Sequence, residues 1–152
     1  MDLPINIDGE ASLLAGFVCT PLVKFPVSTL KPGEKFVING AVVVNADRRT
    51  SLLIQNKVSI LREKDVMLPG EANTPVKRIY FDVMMMYLND TEHDQYMPAF
   101  TQRMTEFMEA ISNRDALQKC VSIAEDVTAR RYYAALMTCK KLMPFEKERL
   151  EY

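Results

Sequence analysis

An Asn-Gly pair at positions 39 and 40, set between two short apolar runs, constrains the fold of this chain more than any other local feature. A two-residue hairpin turn of type I′ needs positive φ at both central positions, and Asn and Gly adopt it at the lowest cost. KFVI before the pair and AVVV after it are rich in β-branched and aromatic side chains, so residues 35–45 are predicted to form a β-hairpin. Lys31-Pro32-Gly33-Glu34 gives a second turn signal just upstream.

The same texture extends on both sides. Runs at 25–30, 35–38, 41–45, 51–55 and 58–61 read as five strands separated by Pro-Gly, Asn-Gly and polar corners, which predicts an antiparallel meander closing into a small barrel or sandwich. Residues 67–75, MLPGEANTP, read as a linker. Beyond it the period changes to that of helices. Residues 79–88 are apolar nearly all round, as in a centrally buried helix. Phe100, Met104, Phe107, Met108 and Ile111 form one face of a second helix, with Pro98 in its first turn. Ser112-Asn113-Arg114-Asp115 resembles a capping box ahead of Leu117, Cys120, Val121, Ala124 and Val127, and a last helix carries Tyr132, Leu136, Cys139 and Met143 to Pro144. Asp8 is placed to cap a short helix over 11–15. The predicted class is α+β: an N-terminal extension (1–22), a β-rich subdomain with a basic rim (23–75) and a helical bundle (76–152).

A net charge of −1 conceals an uneven distribution. Residues 24–78 hold ten Lys or Arg against five Asp or Glu, while 1–23 and 81–152 are each acidic by three charges. Three cysteines without metal-like spacing fit a reducing compartment. The apolar run at 11–19 is too short for a membrane span and lacks the preceding positive charge of a signal peptide, so the expected location is cytoplasmic. His93, the one histidine, lies in a polar corner and reads as a solvated loop residue. Neither a phosphate loop nor a metal-ligand set is legible, so no cofactor, no metal and no enzymatic activity are expected.

Two groups of residues remain as candidates for function. Lys31, Lys35, Arg48, Arg49, Lys57, Arg62, Lys64, Lys77 and Arg78 sit at turns and strand ends, where they are either a solvated surface or, if several share a face, a phosphate-binding patch. The methionines, among them Met84–Met86, Met104 and Met108, either fill an irregular helical core or line a groove for a partner helix.

LKPGEKFVINGAVV, DRRTSLLIQNKVSILREKDVM, EANTPVKRIYFDVMMMYL, RMTEFM and YYAALMTCKKL, in that order from about residue 28 to 142, resemble the flagellum biosynthesis repressor FlbT family of alphaproteobacteria. The resemblance implies a post-transcriptional regulator that associates with the 5′ untranslated region of flagellin messenger RNA and promotes its degradation, in concert with or in opposition to the small protein FlaF. In that light Arg48, Arg49, Lys57, Arg62 and Lys64 are expected to contact RNA, with Lys31, Lys35, Lys77 and Arg78 at the edge. The competing expectation is an adaptor that grips FlaF or flagellin through Met84, Met104 and Tyr132. Edge strands at 25–30 or 51–55 also make a homodimer an expectation.

Overall fold

Asn39 and Gly40 adopt φ of 48° and 83°, and the two residues connect β2 (Lys35–Ile38) to β3 (Ala41–Val44) in the register Lys35↔Val44 to Ile38↔Ala41. The predicted hairpin is thus present. Its corner is fastened from outside as well: the Asn39 amide donates to the Ser59 carbonyl and the Ser59 amide donates to Asn39 Oδ1, each at 2.9 Å. That contact delivers β5 (Ile60–Arg62) to the other side of β2, giving a three-stranded antiparallel sheet in the order β3-β2-β5.

The computed structural model describes residues 25–54 and 58–150, so the short helix expected over 11–15 lies outside the described residues. β1 (Phe25–Leu30) and β4 (Thr50–Ile54) pair antiparallel with an irregularity between Val27 and Leu30. The described strands therefore form two small antiparallel sheets and do not close into a barrel. Strands of three to six residues, each with hydrogen-bond partners on few neighbours, leave too little continuous ladder for closure. Leu30, Phe36, Val37 and Leu61 are buried here.

The chain divides into two compact units between Glu63 and Lys64. In the second, α1 (Pro75–Leu88) packs against both α2 (His93–Ala110) and α4 (Tyr132–Leu150), and α3 (Arg114–Thr128) packs mainly on α4. α1 is the predicted buried helix, with Val76, Ile79, Tyr80, Val83, Met84 and Met86 inside. It begins four residues earlier than its apolar face. Thr74 accepts from the Lys77 amide as N-cap and Pro75 occupies the first turn, where a missing N–H costs nothing. α2 likewise starts at His93, so Pro98 lies beyond its first turn. Asn113 caps α3 by accepting from the Ala116 amide at 2.9 Å.

The last helix does not stop at Pro144 but continues to Leu150. What lies beyond the proline explains the continuation. Glu146, 6% exposed, accepts from the Val76 amide at 2.8 Å and from Thr74 Oγ1 at 2.6 Å, so its carboxylate satisfies one orphan amide at the start of α1 and the hydroxyl of its N-cap. Two further polar contacts bind the helices. Arg103 Nη1 reaches both oxygens of buried Asp82 at 2.6 and 2.7 Å, joining α2 to α1. Asp65 pairs with Lys140 of α4, and its carbonyl accepts from Tyr80 Oη at 2.5 Å. The expected linker is thus partly ordered on the bundle, as the Met67 amide donates to the Met84 sulfur.

Candidate nucleic-acid interface

The basic residues of the β-rich unit are gathered by one buried amide. Asn45 follows β3 directly and is 6% exposed. Its Nδ2 donates to the carbonyls of Lys31 and Arg48, both at 2.8 Å, and more distantly to that of Leu30 at 3.3 Å. Its main chain adds to this: the Asn45 amide donates to the Glu34 carbonyl at 2.9 Å, and the Gly33 amide donates to the carbonyls of Asn45 and Ala46 at 2.8 and 2.9 Å. Gly33 holds φ 73°, a left-handed conformation that favours glycine at this turn. Asn45 thereby locks the Lys31–Glu34 turn onto the 45–49 loop.

The consequence is electrostatic. Lys31, Lys35, Arg48 and Arg49 are all exposed, and the register sets Lys35 opposite Val44, one residue before the loop that carries Arg48 and Arg49. Two carboxylates lie among them. Asp47 is exposed on the loop. Glu34 accepts from the Lys31 amide at 2.9 Å and from Arg62 Nε and Nη2 at 2.8 and 2.5 Å. The Lys31 amide, and after it the Arg62 guanidinium, hold the Glu34 carboxyl below the usual carboxylate range. With Glu34 engaged by Arg62, the exposed turn and loop carry an excess of positive charge on a backbone fixed by hydrogen bonds. Such an arrangement suits a polyanion, because the segments that carry the cations need no ordering of their main chain on binding.

The other expected RNA contacts are distributed differently. Arg62 is half-buried and its guanidinium is ion-paired to Glu34, a partner 28 residues away that local sequence does not reveal. Lys57 lies outside the described residues. Lys64, exposed, belongs to the helical unit, as do Lys77 and Arg78 in the first turn of α1.

The residues expected to grip a partner helix are core residues. Met84, Met104 and Tyr132 are 3%, 4% and 5% exposed, so they pack the bundle and do not line a surface groove. The helical period marks an apolar face but not which neighbour covers it. His93 is also not a solvated loop residue: it opens α2, partly buried, with Nδ1 hydrogen-bonded to the hydroxyl of Tyr132. The bundle does carry a shallow apolar trough, elsewhere, lined by Met108 of α2 with Val121, Ala124, Glu125 and Thr128 of α3. Among the described residues no group of three or more His, Cys, Asp or Glu could hold a metal ion, and no helix is long and apolar enough to cross a membrane.

The family model described as flagellar protein FlbT matches residues 27–150. The chain is similar to the probable flagellum biosynthesis repressor protein FlbT of Caulobacter sp. (strain K31), 53% identical over 122 residues that cover 80% of this chain and 93% of that protein. It is also similar to the flagellum biosynthesis repressor protein FlbT of Caulobacter vibrioides (strain ATCC 19089 / CIP 103742 / CB 15), 52% identical over 80% of this chain and 86% of the relative. A probable repressor of the same name from Rhodopseudomonas palustris (strain CGA009 / ATCC BAA-98) is 38% identical over 80% of this chain and 94% of its own length. No solved structure matches significantly.

Proposed function

The chain belongs to the flagellar protein FlbT family, and from that membership we propose that it is a repressor acting in flagellum biosynthesis, which associates with the 5′ untranslated region of flagellin messenger RNA and promotes its degradation. The observation that supports this reading is the exposed cluster of Lys31, Lys35, Arg48 and Arg49, fixed around the Asn45 amide. Its chemistry is phosphate binding. The action on the message is indirect: a protein seated on the leader blocks ribosomes and leaves the transcript to cellular nucleases.

The test is a titration of the purified protein with a flagellin leader RNA and a scrambled control at two salt concentrations. Each phosphate contact on a single strand contributes about −0.7 to the log–log salt slope, so four contacts give about −3, or roughly fiftyfold weaker binding on going from 50 to 200 mM salt. Reversing Arg48 and Arg49 to Glu removes about half of that slope. Unchanged leader binding by a folded R48E/R49E protein refutes the assignment.

A second reading has one observation in its favour. The α2–α3 trough around Met108 and Val121 is an apolar surface suited to a protein segment, such as one from FlaF or flagellin, in which case the effect on messenger RNA is secondary. Loss of FlaF or flagellin binding by Val121→Glu, with leader binding intact, favours the adaptor.

A further inference from the structure

β3 is the edge of its sheet, and among the described residues it pairs only with β2. Edge strands are normally guarded by charge, proline or a bulge, yet this one reads AVVV. Val42 is 69% exposed and Val44 51%. Two residues apart on a strand, they share one face, and on that face lie Val37 and Leu61, both buried. An apolar row therefore runs across the sheet from a buried end to an open one. The open end is bordered by cations: exposed Lys35 is the register partner of Val44, and Asn45 next in the chain fixes the turn of Lys31 and the loop of Arg48 and Arg49.

Three occupants fit an open strand edge in general, and the length, apolar row and charge of this one separate them. A second copy of the chain pairing through four residues would meet along only about 13 Å of strand, and a contact that short buries far less area than the roughly 1,200–2,000 Å² of a stable dimer. A duplex offers phosphates to the cations but nothing to the valines, because its bases are stacked and paired inside. An unpaired polynucleotide offers both, with base faces for apolar side chains, phosphates for Lys and Arg, and base edges for a free strand backbone.

We propose that β3 is a platform for unpaired nucleotides: Val42 and Val44 pack against base faces, the outward main chain of Ala41–Val44 meets base edges, and Lys31, Lys35, Arg48 and Arg49 hold the flanking phosphates. The proposal rests on the RNA-binding reading above and specifies which RNA conformation that site accepts.

The experiment titrates the full chain with a labelled fragment of a flagellin leader, about 12 nucleotides long to match the site size of small β domains, and with the same fragment annealed to its complement. The single strand is expected to bind about tenfold more tightly than the duplex. V42S/V44S, which removes apolar surface without altering charge, is expected to lose most of that preference, roughly five- to tenfold, at an unchanged salt slope, whereas R48E/R49E flattens the slope for both forms. V42T/V44T, which keeps β propensity, controls for strand stability and should fall between the wild type and V42S/V44S. Equal binding of single strand and duplex, with the valine variants indifferent, overturns this proposal and leaves the RNA-binding reading intact. Absence of binding to either form overturns both. If V42S/V44S leaves RNA binding unchanged and instead converts a dimer to a monomer in sedimentation, the edge is occupied by a second copy and the proposal fails.

Discussion

Asn45→Ala isolates the contribution of a single amide. Nδ2 carries two hydrogens for three carbonyls, so two full bonds, to Lys31 and Arg48 at 2.8 Å, account for most of its effect. At about 1 kcal/mol each, their loss costs the turn-and-loop assembly about 2 kcal/mol, and the exposed ends of both segments keep the penalty from rising further because water can reach them. Tyrosine emission will not register this. All six tyrosines lie at residue 80 or beyond and there is no tryptophan, so intrinsic fluorescence follows the helical unit. The assay is amide hydrogen exchange at Gly33 and Asn45, whose N–H groups are bonded across the turn. A loss of 2 kcal/mol raises their exchange rates about thirtyfold, with α1 amides unaffected. Leader binding should weaken in parallel, since Lys31 and Arg48 are then no longer held together. Exchange within threefold of wild type at both amides would show that the side chain is not what joins the two segments.

Glu146→Ala removes both acceptors at the start of α1 and is expected to cost about 2–3 kcal/mol in urea unfolding followed by tyrosine fluorescence, with Glu146→Gln intermediate because it keeps one acceptor. Burial raises the Asp82 carboxyl above its ordinary range against the opposing pull of Arg103, so the folded state binds this proton more readily than the unfolded chain does. Stability linked to Asp82 accordingly falls as pH rises from the ordinary carboxylate value through the raised one. Arg103→Met should enlarge that slope, destabilising the helical unit by about 2–3 kcal/mol at neutral pH and recovering part of it on acidification, as pH-dependent urea titration will report. Burial pushes the Cys120 thiol up to about 11 and that of Cys139 higher still, so both should resist alkylation in the native protein and react only on unfolding, by peptide mapping.

What the sequence conveys here depends on how far apart the interacting residues are. Asn39-Gly40 specifies its turn through its own φ preferences, and the hairpin follows. The exposure of Arg48 and Arg49 is legible for the same reason, since a loop of Ala-Asp-Arg-Arg has nowhere to go but the surface. Thr74-Pro75 reads as the end of a linker, yet it opens α1, because the chemistry that breaks a helix in its middle begins one at its first turn. Pro144 looked like a terminus only because the residue that sustains the helix beyond it, Glu146, acts on partners 70 and 72 residues away. Asn45 read as the last residue of a strand, and its role appears only when the Lys31 turn is folded beside it. Likewise the methionine faces were visible, but which of them another helix covers is decided by packing.

The clasp between Glu146 and the start of α1 also orders events during synthesis. α1 and α4, the first and last described helices of the bundle, are direct neighbours, and the donors that open α1 wait for a carboxylate synthesised 70 residues after Val76. The hairpin and its basic loop are closed by contacts within residues 30–59 and are complete long before that. On the ribosome, the β-rich unit therefore assembles first, while the side of α1 that packs on α4 stays uncovered until α4 has been made. A transcript cut short within α4 yields a polypeptide with an intact basic loop and an unfinished helical core, marked for proteolysis by the apolar side chains it cannot bury.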